Sequence, residues 1–255
     1  MKRQRKWLPA LAGIAILLAA WHAVCAGGLV NAYVLPAPGR VWQTFLKMTA
    51  SGELAGDIAV SFVRVLKGFA IAFALAFLLA ALRIFLPGSE PFYEYVVQFF
   101  RNVPPLAMIP LLILWCGIGE TTKTVIIVLA SFFPMYLSIV KGFTGCDARL
   151  TEVARSFGYS PARAFFRVVL PSAVPDILVG MRTSLGYSWR AIIGAEMVAA
   201  STGLGHMILF AQQMSRTDKV IIGIFAIGAV GYATDLLLGR LIRRMVGGTA
   251  QNGWN

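Results

Sequence analysis

Acidic residues are scarce in this chain. Asp and Glu number 11 among 255 residues, against 23 Lys and Arg, and charged types together make up only 13%. Soluble domains average about 25% charged and about 45–50% apolar residues. Here the hydrophobic share is 58% and the mean hydropathy is +0.74. So few charges exclude an ordinary solvated surface and point to a chain in lipid. Cysteine is nearly missing as well. Cys25, Cys116 and Cys146 stand far apart, which excludes a disulfide framework and a Cys-x-x-Cys redox or zinc pair. His22 and His206 have no acidic or Cys partner at ligand spacing, which argues against a metal site. A Gly-x-x-x-x-Gly-Lys-[Ser/Thr] phosphate loop is absent. The stretch "GIGETTK", Gly117 to Lys123, has the wrong spacing for one, so the chain is not expected to bind ATP or another cofactor itself. There is no long repeat, low-complexity tract or Pro/Ser linker, and one membrane domain is the economical reading. The net charge of +12 would suggest nucleic acid in a soluble protein. With no aromatic-basic surface motif, basic loops flanking membrane spans explain it better.

What is present is a series of apolar runs. A spanning helix needs roughly 20 mostly apolar residues. Six stretches qualify: about Trp7–Leu29, Val65–Leu86, Tyr95–Trp115, Lys123–Val140, Asp176–Ala199 and Val220–Arg240. The first, behind "MKRQRK", could be a signal peptide. Its uncharged run continues to Gly39, which favours a retained helix. With the amino terminus inside, Lys2, Arg3, Arg5, Lys6, Arg83, Lys141, Arg149, Arg155, Arg163, Arg167, Arg182, Arg240, Arg243 and Arg244 lie on the inner side. Only Arg40, Lys47, Arg64, Lys67, Lys123, Arg216 and Lys219 lie outside. This two-to-one bias places both termini in the cytoplasm. Residues 1–56 then form a first span and an outer segment. The core covers 57–244, with an inner loop at 145–171, and 245–255 is a tail. The outer "LPAPGRVWQTFLKM" is amphipathic and is expected along the membrane surface.

The inner loop is the most distinctive stretch. In "DARLTEVARSFGYSPARAFFRVVLP" helix-favouring residues run from Ala148 to Phe157, with Leu150, Val153, Ala154 and Phe157 on one face. Gly158 is a helix stop, Ser160 a cap and Pro161 a first helical position. The second helix carries Phe165, Phe166, Val168 and Val169 and is expected to stop near Pro171. A helical knob with aromatics at its tip suits docking into another protein's groove. A solvated amphipathic loop is the plainer alternative. Glu152, Ala154, Gly158, Leu170 and Pro171 match the "EAA…G…LP" pattern of ABC-transporter permeases, with Val153 where that pattern usually has a second alanine. "SFVRVLKGFAIAFALA", "RNVPPLAMIPLLILWCGIGETTK", "GAEMVAASTGLGHMI" and "TDLLLGRLIRR" resemble the permeases of nitrate, aliphatic sulfonate and taurine importers. The resemblance spans about Leu35 to Arg244. It implies an all-α type I importer permease fold in a bacterial cytoplasmic membrane. It also implies a homodimer, two ATPase subunits that bind ATP and magnesium, and an external solute-binding protein. Vitamin precursors remain open as substrates beside the small anions.

Ionisable and helix-breaking residues at membrane depth mark candidate pathway positions. These are Arg101, Pro104, Pro105, Arg190 and Glu196. Arg190 and Glu196 are six apart, so they do not share a helix face closely. Arg190 admits two readings, an anion-attracting group or a structural arginine that snorkels or pairs across a dimer. Arg101 admits an interfacial reading as well. An ion-coupled secondary transporter is the rival from another class, with Arg101, Arg190, Glu196 and Asp235 as a relay. It leaves the inner loop unexplained and lacks the internal repeat many such transporters show. A membrane enzyme lacks any paired catalytic constellation.

Overall fold

The computed structural model of the chain describes residues 7–246, and every regular element among them is helical. Helix α1 (Trp7–Ala26) leads to the short amphipathic α2 (Pro38–Ala50). Then come α3 (Glu53–Phe85), α4 (Glu90–Arg101) and, after a 3₁₀ turn at Pro105–Met108, α5 (Ile109–Cys116). Helix α6 is Glu120–Thr144, α7 Ala148–Ser156 and α8 Pro161–Ala164. The chain continues through a π turn (Phe165–Val169) into α9 (Leu170–Ala199), then α10 (Leu204–Gln213) and α11 (Thr217–Val246). Four stretches are long and apolar enough to cross a membrane: α3, α6, the continuous 161–199 segment, and α11. The basic cluster at 2–6 and the tail from 247 lie outside the described residues.

Three expected boundaries are corrected. The third stretch, Tyr95–Trp115, is not one straight helix but is broken at Pro104 and Pro105. Pro104 and Pro105 supply no N–H, and a residue before proline is pushed to extended backbone. Pro104 accordingly sits at φ −62°, ψ 123°, and α4 meets the 3₁₀–α5 segment at 92°. If this bent pair is one span, it is the fifth. Pro110 falls in the first turn of α5, where a missing N–H is tolerated, so it bends nothing. The second correction concerns Pro171. The helix does not stop there but runs on into α9, one unbroken segment from Pro161 to Ala199. The π turn lies just ahead of Pro171. Its wider hydrogen-bond ring accommodates the break that proline would make in an α-helical ladder at Arg167. The second span also begins at Glu53 rather than near Val65.

Helix α6 is central, packed between α3 and α9. Lipid tails are as apolar as leucine, so helices associate in a membrane through close packing of small residues. Gly180 of α9 faces Ser138 of α6 with no room for a side chain. A Cβ on Gly142 would come within 2.9 Å of Ala173. Val65, Ile126, Ile127, Leu185, Trp189 and Ile192 fill one half of the core, and Ala76, Met135, Ile139, Phe143, Phe165 and Ile177 fill the other. Large apolar side chains such as Leu17, Leu78, Phe225 and Leu237 point outward. A lipid-facing surface requires that inversion of the soluble pattern.

Candidate functional site

The charged stretch at 145–171 folds as a knob at the end of the bundle where α3 and α6 finish. Asp147 caps α7, its Oδ1 accepting from the Arg149 N–H at 2.9 Å. At the other end the Gly158 N–H donates to the Arg155 carbonyl at 2.9 Å and the Tyr159 N–H to the Ala154 carbonyl at 3.0 Å. This paired closure needs a left-handed residue, and Gly158 supplies it at φ 74°. Ser160 then caps α8, accepting from the Arg163 N–H, with Pro161 at its first position. The expected apolar face divides. Ala154 turns inward and is buried, while Leu150, Val153 and Phe157 stay on the surface with Phe157 78% exposed. Glu152 and Pro171 are exposed and Leu170 is half-buried. Phe165 anchors the knob from below. Its ring lies 5.0 Å from that of Phe85 and 5.1 Å from that of Phe143. The knob is thus packed against the ends of α3 and α6, and its second helix continues unbroken into α9.

Arg101, Pro105 and Arg190 are brought together on the wall of one cavity of about 420 Å³. Val103, Leu106, Ala130, Phe133, Pro134, Leu137 and Tyr187 complete most of the wall. Ala130 to Leu137 lie midway along α6, so the cavity sits at the middle of the bundle. The bend at Pro104 is what delivers Arg101, the last residue of α4, to this depth. Gly194 of α9 holds the turn in place, since a Cβ there would approach Leu106 to 2.6 Å. Arg190 folds back along its own helix, with its guanidinium 5.0 Å from the Tyr187 ring centre and Nε donating to the Gly186 carbonyl at 3.2 Å. Pro104 stands in the exposed turn between two wall residues.

Glu196 lies elsewhere. It is fully buried and accepts from Ser61 Oγ at 2.8 Å, Arg64 Nη1 at 2.8 Å and the Gly205 N–H at 3.0 Å. Arg64 also donates to Glu120 at 2.6 Å and to the Thr202 carbonyl at 2.7 Å, and Lys123 Nζ reaches Glu120 at 2.6 Å. The Gly203 N–H donates to Asp57, and Gly203 adopts φ +107° directly against the Glu196 carboxylate. The cluster staples the α9–α10 turn to α3 and α6. Arg64 and Glu120 were not singled out by sequence reasoning. The carboxylate partners of Arg64 are 56 and 132 residues away, and nothing local announces them; only the Glu120–Lys123 pair is close in sequence. A second remote pair, Arg182 with Asp235 at 2.5 Å, joins α9 to α11. At the end opposite the knob, Asp218 accepts from Thr44 at 2.7 Å and from Arg216 at 2.8 Å, tying α2 to α11. The hydrogen bond from Arg216 to that carboxylate raises the Arg216 pKa above its usual value. Among the described residues no cluster of three His, Cys, Asp or Glu side chains could hold a metal ion.

Comparison with known proteins agrees with this architecture. Residues 89–247 match the family model described as binding-protein-dependent transport system inner membrane component. An aliphatic sulfonates transport permease protein of Bacillus subtilis (strain 168) is 37% identical over 96% of this chain and 89% of its own. The taurine transport system permease protein of Escherichia coli (strain K12) is 32% identical over 91% and 86%. Among solved structures, a chain of an amino acid ABC transporter aligns with TM-score 0.61 at 19% identity, covering 78% of this chain and 95% of that one. At that identity the fold alone is shared.

Proposed function

This chain belongs to the family of binding-protein-dependent transport system inner membrane components, and on that premise we propose how it works as an importer subunit. It is a multi-pass membrane permease subunit of an ABC importer, with no catalysis of its own. In our reading the bent α4–α5 pair and α1 bring the passages to six, both termini are cytoplasmic, and the membrane is the bacterial cytoplasmic one. Two copies enclose the path of a small anionic solute of the sulfonate, taurine or nitrate class, delivered by an external binding protein. Two ATPase subunits, which bind ATP and magnesium, each receive one knob.

The observation that carries this reading is the knob itself. Leu150, Val153, Phe157 and Phe166 are all more than half exposed on a rigidly capped element beyond the membrane-facing bundle. Apolar groups in that position fit a cleft in a partner protein. ATPase closure would pull on the knob and tilt the 161–199 helix, opening and closing the path without chemistry on the substrate.

The test uses the complex in liposomes with its binding protein. Uptake should require ATP on the knob side and be indifferent to ionophores. Gly158→Val penalises the positive φ that closes α7. It should reach the membrane and permit ATP hydrolysis while uptake falls at least tenfold. Uptake at the wild-type rate would show that the knob does not couple the two.

A further inference from the structure

We infer that the membrane-embedded cavity between α4, α6 and α9 is itself a binding site for a small organic monoanion, with the anionic head between Arg101 and Arg190. The inference rests on the permease reading and adds to it a selectivity that the permease exerts independently of the external binding protein.

The first observation is a contrast among cations. Arg64 and Lys123 face carboxylates at 2.6–2.8 Å, Arg182 faces Asp235 at 2.5 Å, and Lys141 faces Asp176 at 2.9 Å. Arg101 and Arg190 share one cavity wall that holds no carboxylate, and Asp235, which lines a second cavity with Arg190, is held by Arg182 at 2.5 Å. A charge at membrane depth is costly and is normally paired or turned to a polar path. Two like charges in one apolar cavity also repel. An anion between them removes both costs. Arginine suits the task, because its planar fork matches an oxyanion at two points and stays charged at any working pH. The contacts of Arg190 with Tyr187 and the Gly186 carbonyl orient the guanidinium and use only Nε, leaving both terminal nitrogens of the fork.

The second observation is what surrounds the charges. Val103, Pro105, Leu106, Leu129, Phe133 and Leu137 make the rest of the wall predominantly apolar. A cavity of about 420 Å³ falls within the usual range of small-molecule sites. Nitrate would leave most of that apolar wall facing water. A short alkyl chain carrying a sulfonate or carboxylate would cover it while its head meets the arginines. The ligand class is therefore an alkyl monoanion rather than a bare inorganic oxyanion.

The test is titration calorimetry on the permease–ATPase complex in nanodiscs, without the external binding protein, using sodium butane-1-sulfonate and sodium nitrate at matched ionic strength. Butanesulfonate should bind, and nitrate at least tenfold more weakly. Arg101→Gln and Arg190→Gln should each weaken butanesulfonate binding about tenfold or more, since each removes a hydrogen bond to a charged group. Arg190→Lys, which keeps the charge but loses the fork, should fall between wild type and Arg190→Gln. Equal affinities for the two anions, no butanesulfonate heat at 10 mM, or unchanged binding in both Gln variants would overturn the site. The wild-type comparison needs no variant to fold. ATP-driven uptake by the same complex, measured with its binding protein, separates the two readings. Intact uptake without direct binding removes the cavity site and leaves the permease. Uptake that ignores ATP removes the permease reading whatever the calorimetry shows.

Discussion

Arg64 and Arg190 are both arginines on long apolar helices, and their neighbours give them opposite roles. Arg64 is locked among Glu120, Glu196 and the Thr202 carbonyl, its side chain only 10% exposed. Arg190 stands exposed on a cavity wall, and the carboxylate of its second cavity, Asp235, is taken by Arg182. A group satisfied by three fixed partners holds structure, whereas one that keeps its donors is available to a ligand. This contrast yields a prediction. Arg64→Met strands the fully buried Glu196, and breaking a buried pair from one side costs about 3–5 kcal/mol. The thermal midpoint of the detergent-solubilised protein should drop markedly. Adding Glu196→Gln neutralises the stranded carboxylate and should restore much of the loss. A single variant as stable as wild type would mean that the cluster carries no net stability.

At the scale of elements, prolines do two different things. At Pro104–Pro105 they end α4 and turn the chain by 92°, creating a cavity wall where a straight helix would have met lipid or another helix. At Pro171 the preceding π turn lets the helix continue, so that knob and span form one segment. The face of that segment toward the cavity can be tested. Single cysteines at Thr183, Tyr187 and Arg190, which are exposed, should react with aqueous thiol reagents. Those at Ser184, Ser188, Ile192, Ala195 and Glu196, which are buried, should not. On α4 and the turn, positions 101 and 105 should label, and reactivity at both helices should change when ATP is trapped. Uniform labelling along 183–196, or labelling confined to α1, would refute this path.

At the scale of the whole molecule, one chain presents one knob at 145–171 among its described residues. In the proposed importer two ATPases would need two knobs, and a two-fold pair of identical chains would supply them with the fewest distinct contacts. Mass spectrometry of the intact purified complex should therefore find two copies of this chain for every two ATPases. A stable assembly with one copy, or with a different second permease, would contradict the homodimer.

Much of this was legible before any coordinates. Scarce charge and long apolar runs determine a helical membrane chain, because lipid leaves the backbone no other partner than itself. The knob was legible as well. Gly158, Ser160 and Pro161 act on backbone groups within a few residues, so their spacing alone dictates the end of one short helix, the turn and the start of the next, though not that the second helix runs on to Ala199. What the sequence could not determine depends on residues far apart in the chain. The positions of Arg101, Arg190 and Glu196 all marked ionisable groups in apolar surroundings, and their spacing is silent on which would be neutralised. Only the tertiary structure decided that Glu196 meets an arginine 132 residues away while Arg101 and Arg190 converge on one cavity. The physical reason is that helix caps and propensities are local, whereas a partner for a buried charge depends on how α3, α4, α6 and α9 pack.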